Sequence, residues 1–203
     1  MNLRRAIPWW MVSFRLLAGP VIAVLAIRLP DPQIWLGALI STGVLSDVYD
    51  GILARRWKTE TAALRIADSS ADIVFWVGIL TAAIVRHGAE LRARLWLVIA
   101  VLVLEAIDVG LGWLKFGRMP SYHTYGAKLW GLLLALAAVA LLGFDRWAWL
   151  VTCSMVWGIV SELEILTISV VLPEWAYNVK SLRRALAVRR EMMAARKAEA
   201  SLR

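Results

Sequence analysis

Residues 47–72 read DVYDGILARRWKTETAALRIADSSAD. Asp47 and Asp50 stand three apart and Asp68 and Asp72 four apart; on a helix either offset puts both side chains on one face. Each pair adjoins a long apolar segment, where an uncompensated carboxylate is expensive and marks function. The polar link RRWKTETAA, Arg55 to Ala63, is short, so the flanking segments are expected to be neighbouring antiparallel helices that bring the four acids together. Such a cluster of oxygen donors, with no Cys or His nearby, selects hard divalent cations.

The composition around this stretch is that of a membrane protein. Of 203 residues, 61% are apolar, and the mean hydropathy is +0.67, too high for an ordinary soluble domain. Six runs are long enough to cross a bilayer, at roughly 7–29, 33–54, 64–86, 94–114, 126–144 and 146–172. Their continuous apolarity, without strand-like alternation, predicts helices rather than a barrel. The fold class is therefore all-α integral membrane, with six transmembrane helices and a basic amphipathic C-terminal helix. Trp9, Trp10, Trp35, Trp130, Trp147 and Trp149 fall near segment ends, as an interfacial belt requires, whereas Trp76 and Trp157 lie deeper and read as packing. The first run follows Arg4 and Arg5 but is too long for a signal-peptide core and carries Arg15, so it reads as a retained helix.

The net charge of +8 is first a topology signal. Lys and Arg of the N-terminal tail, the 55–58 and 115–128 links and the C-terminal tail outnumber Arg28, Arg86, Arg92, Arg94 and Arg146 on the other side. Both termini are thus expected in the cytoplasm, with 86–94 as an outside loop and His87 a surface residue there. These cations flank spans and form no compact basic domain, which argues against a nucleic-acid partner. Cys153 is the only cysteine; no internal disulfide is possible, and an apolar context predicts a buried, inert thiol. Pro30 and Pro32 bracket a tight turn between the first two spans. We expect one membrane domain over 1–173 and a basic cytoplasmic helix or tail over 174–203. The partial stripe Leu182, Leu186, Val188 and Met192 suits an interfacial helix or a solvated tail.

DVYDGILAR followed by ADSSAD resembles the signature of the CDP-alcohol phosphotransferase family, D-x2-D-G-x2-A-R-x8-G-x3-D-x3-D. The match holds at every position except the second glycine, where Leu64 stands; FRLLAGPVIAV in the first span is also similar, less distinctively. The resemblance implies a six-helix enzyme, paired as a homodimer, that displaces CMP from a CDP-linked donor with an alcohol hydroxyl. It implies two divalent cations, Mg2+ or Mn2+, held by Asp47, Asp50, Asp68 and Asp72, with Asp72 also the general base. Gly51, Arg55 and Thr61 match positions that contact the cytidine diphosphate of the donor, and Ala54 keeps that face shallow. Leu64 is expected to narrow the cavity at the rim. Arg118, His123 and Lys128 stand where members of the family hold an acceptor's phosphate; topology and headgroup contact account for them equally well.

On this reading the enzyme transfers a phosphatidyl group from CDP-diacylglycerol to a small alcohol, glycerol 3-phosphate being the acceptor that the basic cluster favours. Its partners are donor, acceptor and membrane lipids, and its location a bacterial inner membrane with the site facing the cytoplasm. Two alternatives remain open: transfer from a small CDP-alcohol to diacylglycerol, and a cation transporter using intramembrane acids. A structural network of the aspartates with Arg15, Arg55 or Arg65 competes with the metal reading. Glu105 and Asp108, three apart in the fourth run, suit an acceptor pocket or structural pairing, and Glu162 and Glu164 suit pairing or cavity lining.

Overall fold

The computed structural model describes residues 3–201 apart from 58, 60, 119–121, 123 and 178. Among these residues the chain is helical throughout, without strands. The helices are α1 (Leu3–Arg28), α2 (Gln33–Trp57), α3 (Ala62–Ala93), α4 (Leu95–Phe116), α5 (Tyr125–Ala138), α6 (Trp149–Val171) and α7 (Leu182–Ser201). A π-helical turn, Val139–Gly143, extends α5. Six helices are long and apolar enough to cross a membrane, α5 with the help of that turn. Large apolar side chains such as Ile34, Leu114 and Leu132 are exposed on them, the surface expected of helices that meet lipid rather than water.

The third apolar run is longer than the sequence suggested: α3 continues through 86–93 instead of giving way to a loop. Ala89, Glu90, Leu91, Arg92 and Ala93 are all good helix formers, and Arg92 Nε donates to the Gly88 carbonyl at 3.3 Å. The interruption is confined to His87, whose φ and ψ are −131° and 34°. His87 is half-buried and faces Asp145 at 3.5 Å, so it is more than a surface residue. Cys153, conversely, is exposed on α6; a small, weakly polar thiol can face lipid as readily as it can be buried.

The chain divides into two compact units. The first comprises Met1–Ala93 and Ala135–Val151. Here α1 packs along both α2 and α3. The expected direct pairing of α2 with α3 is thus corrected: their backbones are bridged by α1, and they meet through side chains such as Phe75 against Gly43. The reason lies in small residues. A Cβ on Gly78 would overlap the backbone of Gly19, and one on Gly19 would stand 2.9 Å from Phe75 Cα. Bare glycines let two membrane helices approach to backbone contact, where packing rather than water exclusion holds them. Ala18, Ile22, Ile40, Phe75, Ile79 and Leu142 fill the core around this crossing.

The second unit, Arg94–Leu134 with Thr152–Arg203, is organised by polar contacts. Ser169 Oγ donates to Asp108 at 2.5 Å and shares a 3.4 Å hydrogen bond with the Tyr122 hydroxyl. Burial pushes the Tyr122 phenol above its ordinary pKa, so it stays protonated. Lys115 Nζ donates to the Ser169 and Val170 carbonyls at the end of α6. Leu182, Ala185 and Val188 of α7 pack on Ile165, Ile168 and Leu172, so the first half of α7 is docked rather than a free tail. Trp130, expected at the interface, packs instead against Gly158, where a Cβ would sit 2.8 Å from its ring.

Candidate active site

The four aspartates sit at facing ends of α2 and α3. Thr59 N–H donates to the Ala54 carbonyl at 3.0 Å, ending α2, and Thr61 Oγ1 accepts from Leu64 N–H at 3.1 Å, capping α3. As α2 descends from Asp50 to Gly43, α3 rises from Asp68 to Phe75, so the helices run antiparallel as expected, with α1 between them.

Arg15 of α1 lies at the centre. Its Nη1 donates to Asp47 Oδ1 and Asp72 Oδ1, and its Nη2 to Asp50 Oδ2 and Asp68 Oδ1. Each terminal nitrogen thus takes one acid from α2 and one from α3, as the forked geometry of guanidinium allows. The register of α1 dictates this. Gly19 meets Phe75, and about one turn earlier on each of these parallel helices Arg15 meets Asp68 and Asp72. Arg15 is fully buried, and its Nε has no hydrogen-bond partner. Of the acids, Asp50 is innermost, its side chain 6% exposed, whereas Asp47 is 49% exposed; Asp68 and Asp72 are partly open.

The donor set fits a hard divalent cation. Carboxylate oxygens of Asp47, Asp50 and Asp68 lie within 4.8 Å of one another, and Asp72 joins them through the same guanidinium. One guanidinium can balance only one of the four carboxylates when all are ionised, leaving an excess of acid beside apolar helices, which is costly without further cations. The network with Arg15 and the cation site are therefore two properties of one arrangement.

The remaining sequence-derived residues divide between the units. Leu64 is buried against Val12 and three alanines, Ala54, Ala67 and Ala71. The Arg55 guanidinium lies over Gly51, where an added Cβ would meet it at an ordinary 3.5 Å. Thr61 spends its hydroxyl on the cap described above. Arg118 and Lys128 belong to the second unit; Arg118 stands over the Trp175 ring at 5.6 Å, and Lys128 is exposed in the first turn of α5. His123 and Lys58 lie outside the described residues. Glu164, left open by the sequence, accepts from Leu182 N–H at 3.2 Å and so anchors the start of α7. Sequence reasoning had Arg15 only as one of three possible partners. The signal that singles it out is a lone cation inside a span with no acid on its own helix.

The family model for CDP-alcohol phosphatidyltransferases matches residues 5–180. No match was found among curated proteins or among solved structures. The chain belongs to the CDP-alcohol phosphatidyltransferase family. It is a membrane enzyme of phospholipid biosynthesis that transfers substituted phosphate groups, and the reading as a cation transporter falls. The family's activity is phosphatidyl transfer involving a CDP-alcohol, and it uses divalent cations.

Proposed function

We propose that this enzyme transfers the phosphatidyl group of CDP-diacylglycerol to a small alcohol, glycerol 3-phosphate first among candidates, releasing CMP. The observation that carries the reading is the convergence of four carboxylates from α2 and α3 on one point. Asp47, Asp50, Asp68 and Asp72 would hold two divalent cations, Mg2+ or Mn2+. When bound, these neutralise the diphosphate and the charge that develops as its bond breaks. Asp72 takes the proton of the acceptor hydroxyl; the acceptor oxygen bonds to the phosphatidyl phosphorus, and the bond from that phosphorus to the CMP oxygen breaks. Arg55 offers its planar fork to the donor phosphates, Gly51 and Ala54 keep the donor face shallow, and Thr61 stands at the same rim. Arg118, His123 and Lys128 hold the acceptor's phosphate. Residues 1–173 act as the catalytic membrane domain, with 174–203 at the cytoplasmic face of a bacterial inner membrane, and the enzyme works as a homodimer.

The test is release of CMP by purified protein given CDP-diacylglycerol and a panel of alcohols, with CDP-choline plus diacylglycerol as the reverse pairing. Turnover with CDP-diacylglycerol that stops in EDTA and returns with Mg2+ or Mn2+ is the expected result. CMP release undiminished in chelator, or turnover only with the small CDP-alcohol, overturns the proposal.

A further inference from the structure

Among the described residues, Arg15 is hydrogen-bonded to the four aspartates alone. All its hydrogen bonds from the terminal nitrogens go to these carboxylates, and Nε has no acceptor at all. A guanidinium held only by the ligands of another cation is a competitor for them. We infer that Arg15 is a built-in counter-cation: it occupies the aspartate site when metal is absent, weakens divalent-cation binding there, and makes that binding depend on the donor's diphosphate. The inference rests on the metal-binding reading of the four aspartates.

Charge decides the direction. With all four carboxylates ionised, they and Arg15 would carry three net negative charges. Two divalent cations would leave this buried site with one excess positive charge, and a doubly negative diphosphate would then reverse it. Without Arg15 the same two cations would neutralise the carboxylates completely, and the diphosphate would add charge to a site already balanced. At a site where three of the four acids are partly exposed, solvent damps such differences, but over a few ångströms they still act. Arg15 therefore penalises metal without donor and favours metal with donor, a coupling that each ligand exerts equally on the other. It also offsets part of the repulsion among the acids in the metal-free protein.

The experiment measures Mn2+ binding to full-length, EDTA-stripped protein by the loss of free-ion EPR signal, with and without CDP-diacylglycerol. Wild type, Arg15→Gln and Arg15→Lys are compared, with Asp50→Asn as the control for the site. For Mn2+ alone, Arg15→Gln is expected to bind about tenfold more tightly than wild type, equivalent to about 1.4 kcal/mol, and Arg15→Lys to remain close to wild type. The tightening of Mn2+ by CDP-diacylglycerol should be smaller in Arg15→Gln than in wild type. In EDTA the melting temperature of Arg15→Gln should fall, and Mn2+ should restore it; recovery of folded variant only in Mn2+ supports the inference in the same way. Mn2+ binding that is unchanged or weaker in Arg15→Gln, or a variant that fails to fold in Mn2+ and EDTA alike, overturns it. Failure of the metal reading itself looks different: wild type and Asp50→Asn then bind Mn2+ equally.

Discussion

The two units of this protein answer several of their acids differently. In the first, four carboxylates share one guanidinium, an excess of three negative charges when all are ionised. In the second, Asp108 is answered by Ser169, itself bonded to Tyr122, and Glu164 by the start of α7, while Lys115 is spent on backbone carbonyls. A carboxylate answered by neutral donors can remain as structure, because its hydrogen bonds replace those of water. One crowded against its like needs an incoming cation. Glu162, buried in the second unit, also has Glu105 and Asp108 as acidic neighbours, so the contrast is between the four aspartates bridged by Arg15 and the two acids, Asp108 and Glu164, that neutral donors answer.

The most forceful way to break this comparison is at Asp72. Asp72→Asn should lower kcat by about a hundredfold to ten-thousandfold, the usual worth of a general base, with CDP-diacylglycerol binding retained better than in Asp47→Asn. Turnover assays beside donor-binding titrations check this, and near-normal kcat removes Asp72 from the base role. Next in size is the crossing that sets the register of Arg15. Gly78→Ala puts a methyl into the Gly19 backbone and should cost about 1–3 kcal/mol of stability, as overpacking does; it should also disturb Mn2+ binding some distance away. Reversible unfolding in detergent that shows no loss argues against so close an approach.

The second unit supplies smaller tests. Arg118→Ala and Lys128→Ala should each raise the KM for a phosphorylated acceptor by about tenfold, the equivalent of about 1.4 kcal/mol, while donor KM stays put. Acceptor kinetics equal to wild type would return both residues to topology and headgroup contact. Smallest is Asp108→Asn, which keeps an acceptor for Ser169 and should cost no more than about 1.5 kcal/mol. Mn2+ binding should not change in this variant; a loss comparable to that in Asp50→Asn would erase the distinction between the units.

Much of this was legible in the chain because it is local. The spans follow from continuous apolarity, and the facing of each aspartate pair from helical spacing. What could not be read was the partner each helix chooses across the bundle. The short link predicted α2 beside α3, but a link constrains only the ends it joins. The bare backbones of Gly19 and Gly78 admitted α1 between them, and a single glycine in an apolar run gives no hint of what it faces. Leu64 illustrates the same limit. As a departure from the signature it suggested a narrower rim, and nothing in the chain signalled that Ala54 and Ala71 would be the residues it packs on. The helical run to Ala93 was missed because three arginines read as a loop, although Ala, Glu and Leu between them favour helix.

Arg15 also fixes a problem of timing. It enters the membrane with the first span, yet Asp47, Asp50, Asp68 and Asp72 follow 32, 35, 53 and 57 residues later. During synthesis α1 therefore carries a lone cation into the bilayer, at a cost of about 2.5–3.5 kcal/mol for a charge near mid-span. Relief arrives in instalments: the first two carboxylates as α2 emerges, the last two only with α3. The two carboxylates of α2 already outnumber the one guanidinium, so its charge is met before α3 is made; a ribosome that stalls before residue 68 leaves two of its four hydrogen bonds unmade.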